Sequence, residues 1–411
     1  MTAASRPSTA IQASRAGAAR RQIGIGVIGF GWLGQAHSRS LRRIPTLFAD
    51  RSYEPVLVAC SDAVAERVQD AVASFGFRRG SIESRAVIDD PEVDAVFIAA
   101  PNMLHLELVE AVTAAGKAVF CEKPVGGTPQ QVVRAATAAR RAGVTSGVGY
   151  NYRWAPLVLY ARELIAEGEL GKLTNYRGRF FSMYGADPLA VNSWRFQRDQ
   201  AGLGATSDLL SHSVDLAHML LGPISRVVGT VETFIRERPV PAGGAGHYGR
   251  GAPGDPLQAV TNEDYAGMLV QFASGARGTF EASRTVVGPE SQMAFDAYGT
   301  RGAVSWDLER LNELRLYRAT ADRASGYTTV LGGERFGHHG SFVPGSGNSI
   351  GFEDLVTIED HEFCCAVAEG RPFEPGFEQA LAWASVHDAL LRSLDSGSWE
   401  AVLPLLPAAP P

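Results

Sequence analysis

Two stretches of the chain carry side chains of types and spacing that could move a proton and a hydride together. "CEKPVGGTP" (121–129) sets Lys123 between the carboxylate of Glu122 and Pro124, directly after an apolar run. "AGLGATSDLLSHSVDLAHMLLG" (201–222) contains Asp208 and His212, whose i, i+4 spacing puts them on one face of a helix. Removing a hydride from a carbinol carbon requires the hydroxyl proton to leave to a base, and a histidine with an intrinsic pKa near 6.5 suits that task. A lysine beside the oxygen stabilises developing alkoxide charge. An aspartate can fix a neighbouring hydroxyl and hold the other two groups in place. Plainer readings stand beside these: Glu122 and Lys123 as a solvent-seeking turn, Asp208 and His212 as an exposed helical stripe. Asp215 and His218 extend the second stretch, but its two histidines lie on different helical faces, unlike the i, i+4 pair of helical zinc sites. No metal is expected.

A second constellation is glycine-rich. Gly29-Phe30-Gly31-Trp32-Leu33-Gly34 reads G-x-G-x-x-G, follows an apolar strand and opens a helix, which is the context a dinucleotide cradle needs. Gly29 would permit the tight turn, Gly31 the approach of a pyrophosphate, and Gly34 close helix-to-strand packing. The helix N-terminus would offer N–H groups to the phosphates. Asp62, just after the second strand, is placed to accept from ribose hydroxyls and repel a 2′-phosphate, or equally to cap the helix beginning at Ala63. NAD is therefore the expected cofactor, with NADP possible through Arg67 or Arg78. The glycine-to-Asp62 gap exceeds the usual span, which an insertion at 42–54 would explain. Pro101, Asn102 and His105 close the third strand, where they should line the nicotinamide half.

These residues need a scaffold. From Ile23 to residue 150, short apolar strands alternate with helical stretches, implying a parallel sheet covered on both faces. Beyond residue 150 one amphipathic helix (156–168) precedes strand-like runs, two of them joined through Gly-containing turns to their neighbours as hairpins. This part reads as α+β with a mainly antiparallel sheet, and helices near 357–370 and 376–395 close the fold. The Gly/Pro-rich stretch 236–256 has no periodicity and reads as a long mobile loop that could border the site. Expected units are a tail at 1–21, a nucleotide-binding domain at 22–149, a substrate and oligomerisation domain at 150–403, and a tail at 404–411.

Composition narrows the class. The chain has 411 residues, 45% hydrophobic and 20% charged, with a net charge of -6, so it offers no electrostatic case for nucleic acid or an anionic membrane. No apolar run approaches the roughly 20 residues of a membrane-spanning helix. Four cysteines without a CxxC pair indicate free thiols and a cytoplasmic setting. Arg20 and Arg21 before an apolar segment resemble a twin-arginine signal, but that segment is needed as the first strand, so a tail is the preferred reading.

Taken in order, Gly29 to Gly34, Pro101-Asn102, Glu122-Lys123-Pro124 and Asp208-x-x-x-His212-x-x-Asp215 resemble the Gfo/Idh/MocA oxidoreductases over roughly residues 22–400. The resemblance implies an N-terminal Rossmann doubly wound parallel sheet and a C-terminal α+β domain built on a large open sheet. It also implies homodimers or homotetramers assembled through that sheet. It assigns catalysis to Lys123, Asp208 and His212, with a lysine–proline bond that is often cis and would aim the lysine into the cleft. Cofactor contacts are expected at Gly29 to Gly34, Asp62, Pro101, Asn102, His105, Glu122 and Lys123. Substrate contacts are expected at Lys123, Tyr152, Arg153, Trp194, Arg195, Asp208 and His212. "RELIAEGELGKL", "NSWRFQ" and "EASRTVVG" are similar to the branch oxidising the 3-hydroxyl of glucose-type rings and anhydrosugars such as levoglucosan. Trp194 would stack on a pyranose face or anchor its loop, and Arg195 and Gln197 would bind ring hydroxyls. Thr206-Ser207 and Ser211 depart from the family pattern and would alter the pocket. The rivals are an inositol dehydrogenase, a glycoside 3-oxidoreductase, an NAD-dependent glycosidase, or an NAD-binding regulator without chemistry.

Overall fold

The run Ile23–Ile28 lacks a charged side chain and is buried along its whole length, so it must be covered on both faces. In the computed structural model, which describes residues 20–241, 249–320 and 325–405, this is β1 (Arg21–Ile28) of a parallel sheet. Its partners are β2 (Tyr53–Ser61), β3 (Arg79–Ser81), β4 (Ala95–Ile98), β5 (Ala118–Cys121) and β6 (Ser146–Val148), in the order β3-β2-β1-β4-β5-β6. Helices α1 (Trp32–Leu47), α2 (Ala65–Ala73), α3 (Arg85–Ile88), α4 (His105–Ala114) and α5 (Pro129–Ala142) connect the strands. Strand order reverses between β1 and β4, and such a switch point opens a crevice at the strands' C-terminal ends.

The second sheet has nine strands: β7 (Leu173–Ser182), β8 (Ile224–Glu232), β11 (Tyr265–Phe272), β12 (Arg277–Ser283), β13 (Ser291–Gly299), β14 (Gly302–Asp307), β15 (Glu313–Arg318), β16 (Tyr327–Leu331) and β17 (Glu400–Ala401). All its pairings are antiparallel except β7 with β12. Helices α6 (Pro156–Ala166), α8 (Ser211–Leu221) and α11 (Phe377–Ser396) pack against this sheet. Between α6 and α8 lies the short α7 (Arg198–Ala201), and α9 (His339–Phe342) precedes α10 (Phe352–Glu369).

The C-terminal helices reach beyond the large sheet to the first. Helix α10 packs on α1 and α11 packs on α5, so Phe363 and Cys364 share a core with Ile23, Phe97 and Phe120. This return places α10 under the crevice.

Several local expectations are corrected. Arg21 already pairs with Tyr53 and Arg20 donates to Ala49 O, so the tail read as 1–21 ends earlier; residues 1–19 and 406–411 lie outside the described residues. Helix α1 continues through Pro45 to Leu47, so much of the insertion expected at 42–54 is helix. Within 236–256, read as aperiodic loop, β9 (Glu237–Pro239) forms a ladder with β10 (Leu257–Ala259); residues 242–248 lie outside the described residues. Strand β8 carries Ser225, Arg226, Gly229 and Thr230 among its apolar positions, which hid it from an apolar-run criterion.

Candidate active site

The crevice opens into a cleft of about 1990 Å³ between the two sheets. That is about twice the upper end for a single drug-sized ligand, so it has room for a dinucleotide and a second small molecule. Gly29, Gly31, Trp32, Leu33 and Asp62 line one end. Gly29 has φ +92, open to glycine and costly for other residues. A Cβ on Gly34 would sit 2.0 Å from Gly29 O, while one on Gly31 would meet nothing within 4 Å. The turn is therefore closed on its protein side and open toward the cleft, and α1 begins there without a side-chain cap. Its first N–H groups are left for an anion.

Asp62 Oδ2 accepts from Phe30 N at 2.7 Å and Oδ1 from Val64 N at 2.9 Å. The carboxylate thus ties the glycine turn to the start of α2, which begins at Ala65 rather than Ala63. Arg67 pairs with Asp62 at 3.4 Å, whereas Arg78 is paired with Glu92 and lies outside the cleft lining. Phe30 is a correction: its ring is buried against Phe75 and Phe77, so only its N–H serves the turn. These features fit NAD. Pro101, Asn102, His105 and Glu122 continue the lining. Asn102 Nδ2 donates to Ala201 O at 3.3 Å, a link between the two halves. His105 places Nδ1 2.7 Å from Pro124 O and Nε2 2.7 Å from Ala100 O. Burial lowers its pKa although both carbonyls favour the protonated ring.

Lys123, Asp208 and His212 meet in the middle of the cleft. The Lys123–Pro124 bond is cis. Lys123 Nζ donates to Asp208 Oδ1 and to Asp208 O, both at 2.8 Å. An ammonium has three donors, so one is left for a substrate oxygen. Asp208 Oδ2 accepts from Tyr184 Oη at 2.9 Å, and Arg195 Nη1 lies 3.5 Å from Oδ1. Burial pushes the Asp208 carboxyl up, but the Lys123 and Arg195 charges and these hydrogen bonds outweigh it and hold it well below the usual carboxylate range. Burial, then the Lys123 charge, holds His212 well below 6.5, so its ring is a neutral acceptor. Thr206–Leu210 is a π-helical turn, a widening common at functional sites, and the two side chains face the cleft from it and the first turn of α8.

Arg153 requires correction. Its guanidinium is buried and clamps Asp215 at 2.6 and 2.7 Å and Glu374 at 3.1 Å, so it braces α8 and does not line the cleft. Tyr152 does line it, edge-on to His212 at 4.7 Å. Trp194 also faces the cleft, with the Arg195 guanidinium 4.5 Å over its ring. Gln197 spends its amide N–H groups on Asn192 Oδ1 and Ala259 O, both at 2.8 Å. Thr206, Ser207 and Ser211 are buried behind the lining, so these departures leave the pocket wall untouched. Tyr184 and Asn151 are lining residues that sequence spacing did not reveal. Among the described residues no cluster could hold a metal ion and no helix is long and apolar enough to cross a membrane.

Comparison with known proteins agrees with this fold and with NAD. Residues 23–150 match the oxidoreductase family with an NAD-binding Rossmann fold, and residues 158–305 match the GFO/IDH/MocA C-terminal domain. Levoglucosan dehydrogenase of Pseudarthrobacter phenanthrenivorans is 35% identical over 92% of this chain and 98% of its own length. Inositol 2-dehydrogenase of Rhizobium meliloti is 25% identical over 90% and 97%. A solved levoglucosan dehydrogenase in complex with NADH superimposes with a TM-score of 0.88 at 32% identity, covering 94% of this chain and 100% of that one. The chain is an NAD-binding oxidoreductase and belongs to the Gfo/Idh/MocA family.

Proposed function

We propose that this protein is an NAD-dependent dehydrogenase oxidising a secondary hydroxyl, the 3-hydroxyl of a pyranose-type sugar or anhydrosugar such as levoglucosan. The observation that carries the reading is the meeting of Lys123, Asp208 and His212 in one cleft with the glycine cradle. Its likeness to levoglucosan dehydrogenase over nearly the whole chain supports the substrate class. When bound, the nicotinamide supplies the hydride acceptor. His212, neutral through burial, takes the hydroxyl proton as the carbinol hydride leaves. Lys123 turns its remaining N–H to the same oxygen and offsets the alkoxide charge. Asp208, held by the Lys123 and Tyr184 donors and the nearby Arg195 charge, accepts from a neighbouring hydroxyl and fixes the ring. Trp194 and Tyr152 provide flat apolar surface for it. We further infer a cytoplasmic homodimer or homotetramer, in keeping with exposed Phe234 and Leu269 on the large-sheet half.

The test is NADH formation across levoglucosan, other anhydrosugars, glycosides, free sugars and inositols, with NAD and NADP in parallel. The proposal expects the highest kcat/KM on an anhydrosugar or glucose-type ring with NAD, and a 3-ketone product. Preference for an inositol would replace the substrate class, and bond cleavage without net NADH would replace the reaction.

A further inference from the structure

Beneath the cleft lies a second set of ionisable side chains, shut away from solvent. His37, on the inner face of α1, is 0% exposed, with the rings of Phe97 and Phe120 packed on it at 5.4 and 5.3 Å. Its Nδ1 is 2.8 Å from Asp360 Oδ1 and its Nε2 3.1 Å from Glu122 Oε1. A carboxylate only accepts, and a neutral imidazole has one N–H, so satisfying both partners requires N–H on both ring nitrogens. The preceding residue on α10, Glu359, is fully buried with neither oxygen hydrogen-bonded, and Asp360 Oδ2 is likewise unpartnered.

Three carboxyl groups therefore surround one imidazole: Glu122 from the end of β5, and Asp360 and Glu359 from α10. Asp215 of α8 acts on Glu359 from further off. The nearby cations are committed elsewhere, Lys123 to Asp208 and Arg153 to Asp215 and Glu374. Glu122 is the member that reaches the active site. Its Oε2 accepts from Lys123 N at 3.2 Å, and it lines the cleft. Gly149 packs against its far side so closely that a Cβ there would lie 2.7 Å from Oε1. Glu122 can therefore turn only toward the cleft.

We propose that His37 is a positioning residue: a doubly protonated imidazole clamped between Asp360 and Glu122 that fixes the Glu122 carboxylate, and through the Lys123 N–H the direction in which Lys123 enters the cleft. Without the ring, Glu122 faces the Asp360 carboxylate across a dry gap with no cation between them. Like charges in a low-dielectric setting repel strongly, and the open side is the cleft. The Lys123 N–H then loses its acceptor and the ammonium its register on Asp208. Burial lowers the ring's proton affinity, but Asp360 and Glu122 outweigh it and raise its pKa well above 6.5. The same helix starts at the glycine cradle, so His37 joins the cofactor end to the catalytic lysine.

The kinetic arm rests on the reading of Lys123 as catalytic; the spectroscopic arm does not. Full-length protein labelled with 15N-histidine is expected to show one ring that stays doubly protonated at about pH 8, where an ordinary histidine is neutral. That signal should be absent in His37→Gln and should titrate at lower pH in Asp360→Asn. His37→Gln should lose about tenfold or more in kcat, with sugar KM changed less than about threefold, since misplacing a group that acts on the reacting oxygen costs the chemical step. The double variant His37→Gln/Glu122→Gln should melt above His37→Gln, because the unpaired buried charge is gone. Absence of a doubly protonated ring in the wild-type protein overturns the proposal, as does wild-type kcat in folded His37→Gln. Should His37→Gln not fold, the wild-type and Asp360→Asn spectra decide. If Lys123→Ala proves active while the spectra hold, the reading of Lys123 falls and the His37 clamp stands.

Discussion

On the proposed mechanism Lys123 and His212 do different work, and one variant tests each. Lys123→Ala removes the ammonium that pairs with Asp208, and His212→Ala removes the proposed base, so each should lower kcat by about 100-fold or more in a folded protein. Single-turnover NADH formation checks this, and near-normal turnover in either variant would contradict the mechanism. The position of His212 also sets the pH dependence. Burial and Lys123 depress its pKa, so the ring stays neutral below the usual 6.5, and kcat/KM should hold its plateau through that pH before falling in more acid solution. A pH–rate profile breaking near 6.5 would mean that His212 is not buried as seen. Lys123, Asp208 and His212 were legible because their chemistry is rare and their order specific. Tyr184 was not, because its approach to Asp208 depends on where β7 ends, and a tyrosine in "SMYGADP" has no spacing that announces a partner. Arg153 misled for a related reason: an arginine beside a lining residue points at the cleft or away from it, and Asp215 decided the direction.

At the scale of elements, the segment carrying Trp194 and Arg195 is held by an arrangement with no sequence signature. Phe196 lies between the guanidinium groups of Arg238 and Arg284, at 4.1 and 4.4 Å. Arg284 is paired with Asp264 at 2.8 Å in full burial and also donates to Arg195 O. Cation–ring contacts of this kind contribute about 0.5–2 kcal/mol each. Phe196→Leu keeps apolar volume but loses both, and should destabilise the protein by about 1–3 kcal/mol. It should also raise sugar KM several-fold with little change in NAD KM, since the segment it frees borders the sugar end. Denaturant melts and paired KM measurements test this; equal effects on both substrates would mean the anchor is not local. The strand–helix alternation of the first half was readable because each strand is a short apolar block between turn residues. In the second half the strand-like runs over β7 and β11 to β15 were readable from their own alternation, two of them helped by Gly-containing turns. Strand β8 and the β9/β10 ladder were missed because their cross-strand partners lie outside any local window.

The molecule as a whole closes on itself, since α10 and α11 complete the cores of the first sheet while also packing on the second. That return buries histidines and acids together, and their proton balance predicts how stability follows pH. His361 and His387 are buried and His218 is half-buried, and burial pushes each down to about 4. Burial lowers His105 and His212 as well. Between about pH 4 and 6.5 the unfolded chain has taken up protons on these rings that the folded chain refuses. The unfolded state binds more protons there, so stability rises with pH across the window and is lost as pH falls. Asp208, depressed by Lys123 and Arg195 in spite of burial, adds to the loss in acid. Asp360, raised by burial to about 6, and Glu359 and Asp215, raised by burial, oppose it, because they keep protons that the unfolded chain has released. A depressed ring contributes up to about 1.4 kcal/mol per pH unit within its window, and the depressed rings outnumber the raised carboxyls. Tm should therefore climb by about 5 °C or more from pH 4.5 to 7. His387 offers the sharpest check, since its ring stacks on Trp383 and its Nε2 has no partner. His387→Phe keeps the stack and removes the titrating group, so it should flatten the acid side of the Tm curve while leaving the value at pH 7 nearly unchanged. A wild-type Tm that is level or falling from pH 4.5 to 7, followed by circular dichroism, would show that the carboxyls and not the buried imidazoles govern the balance.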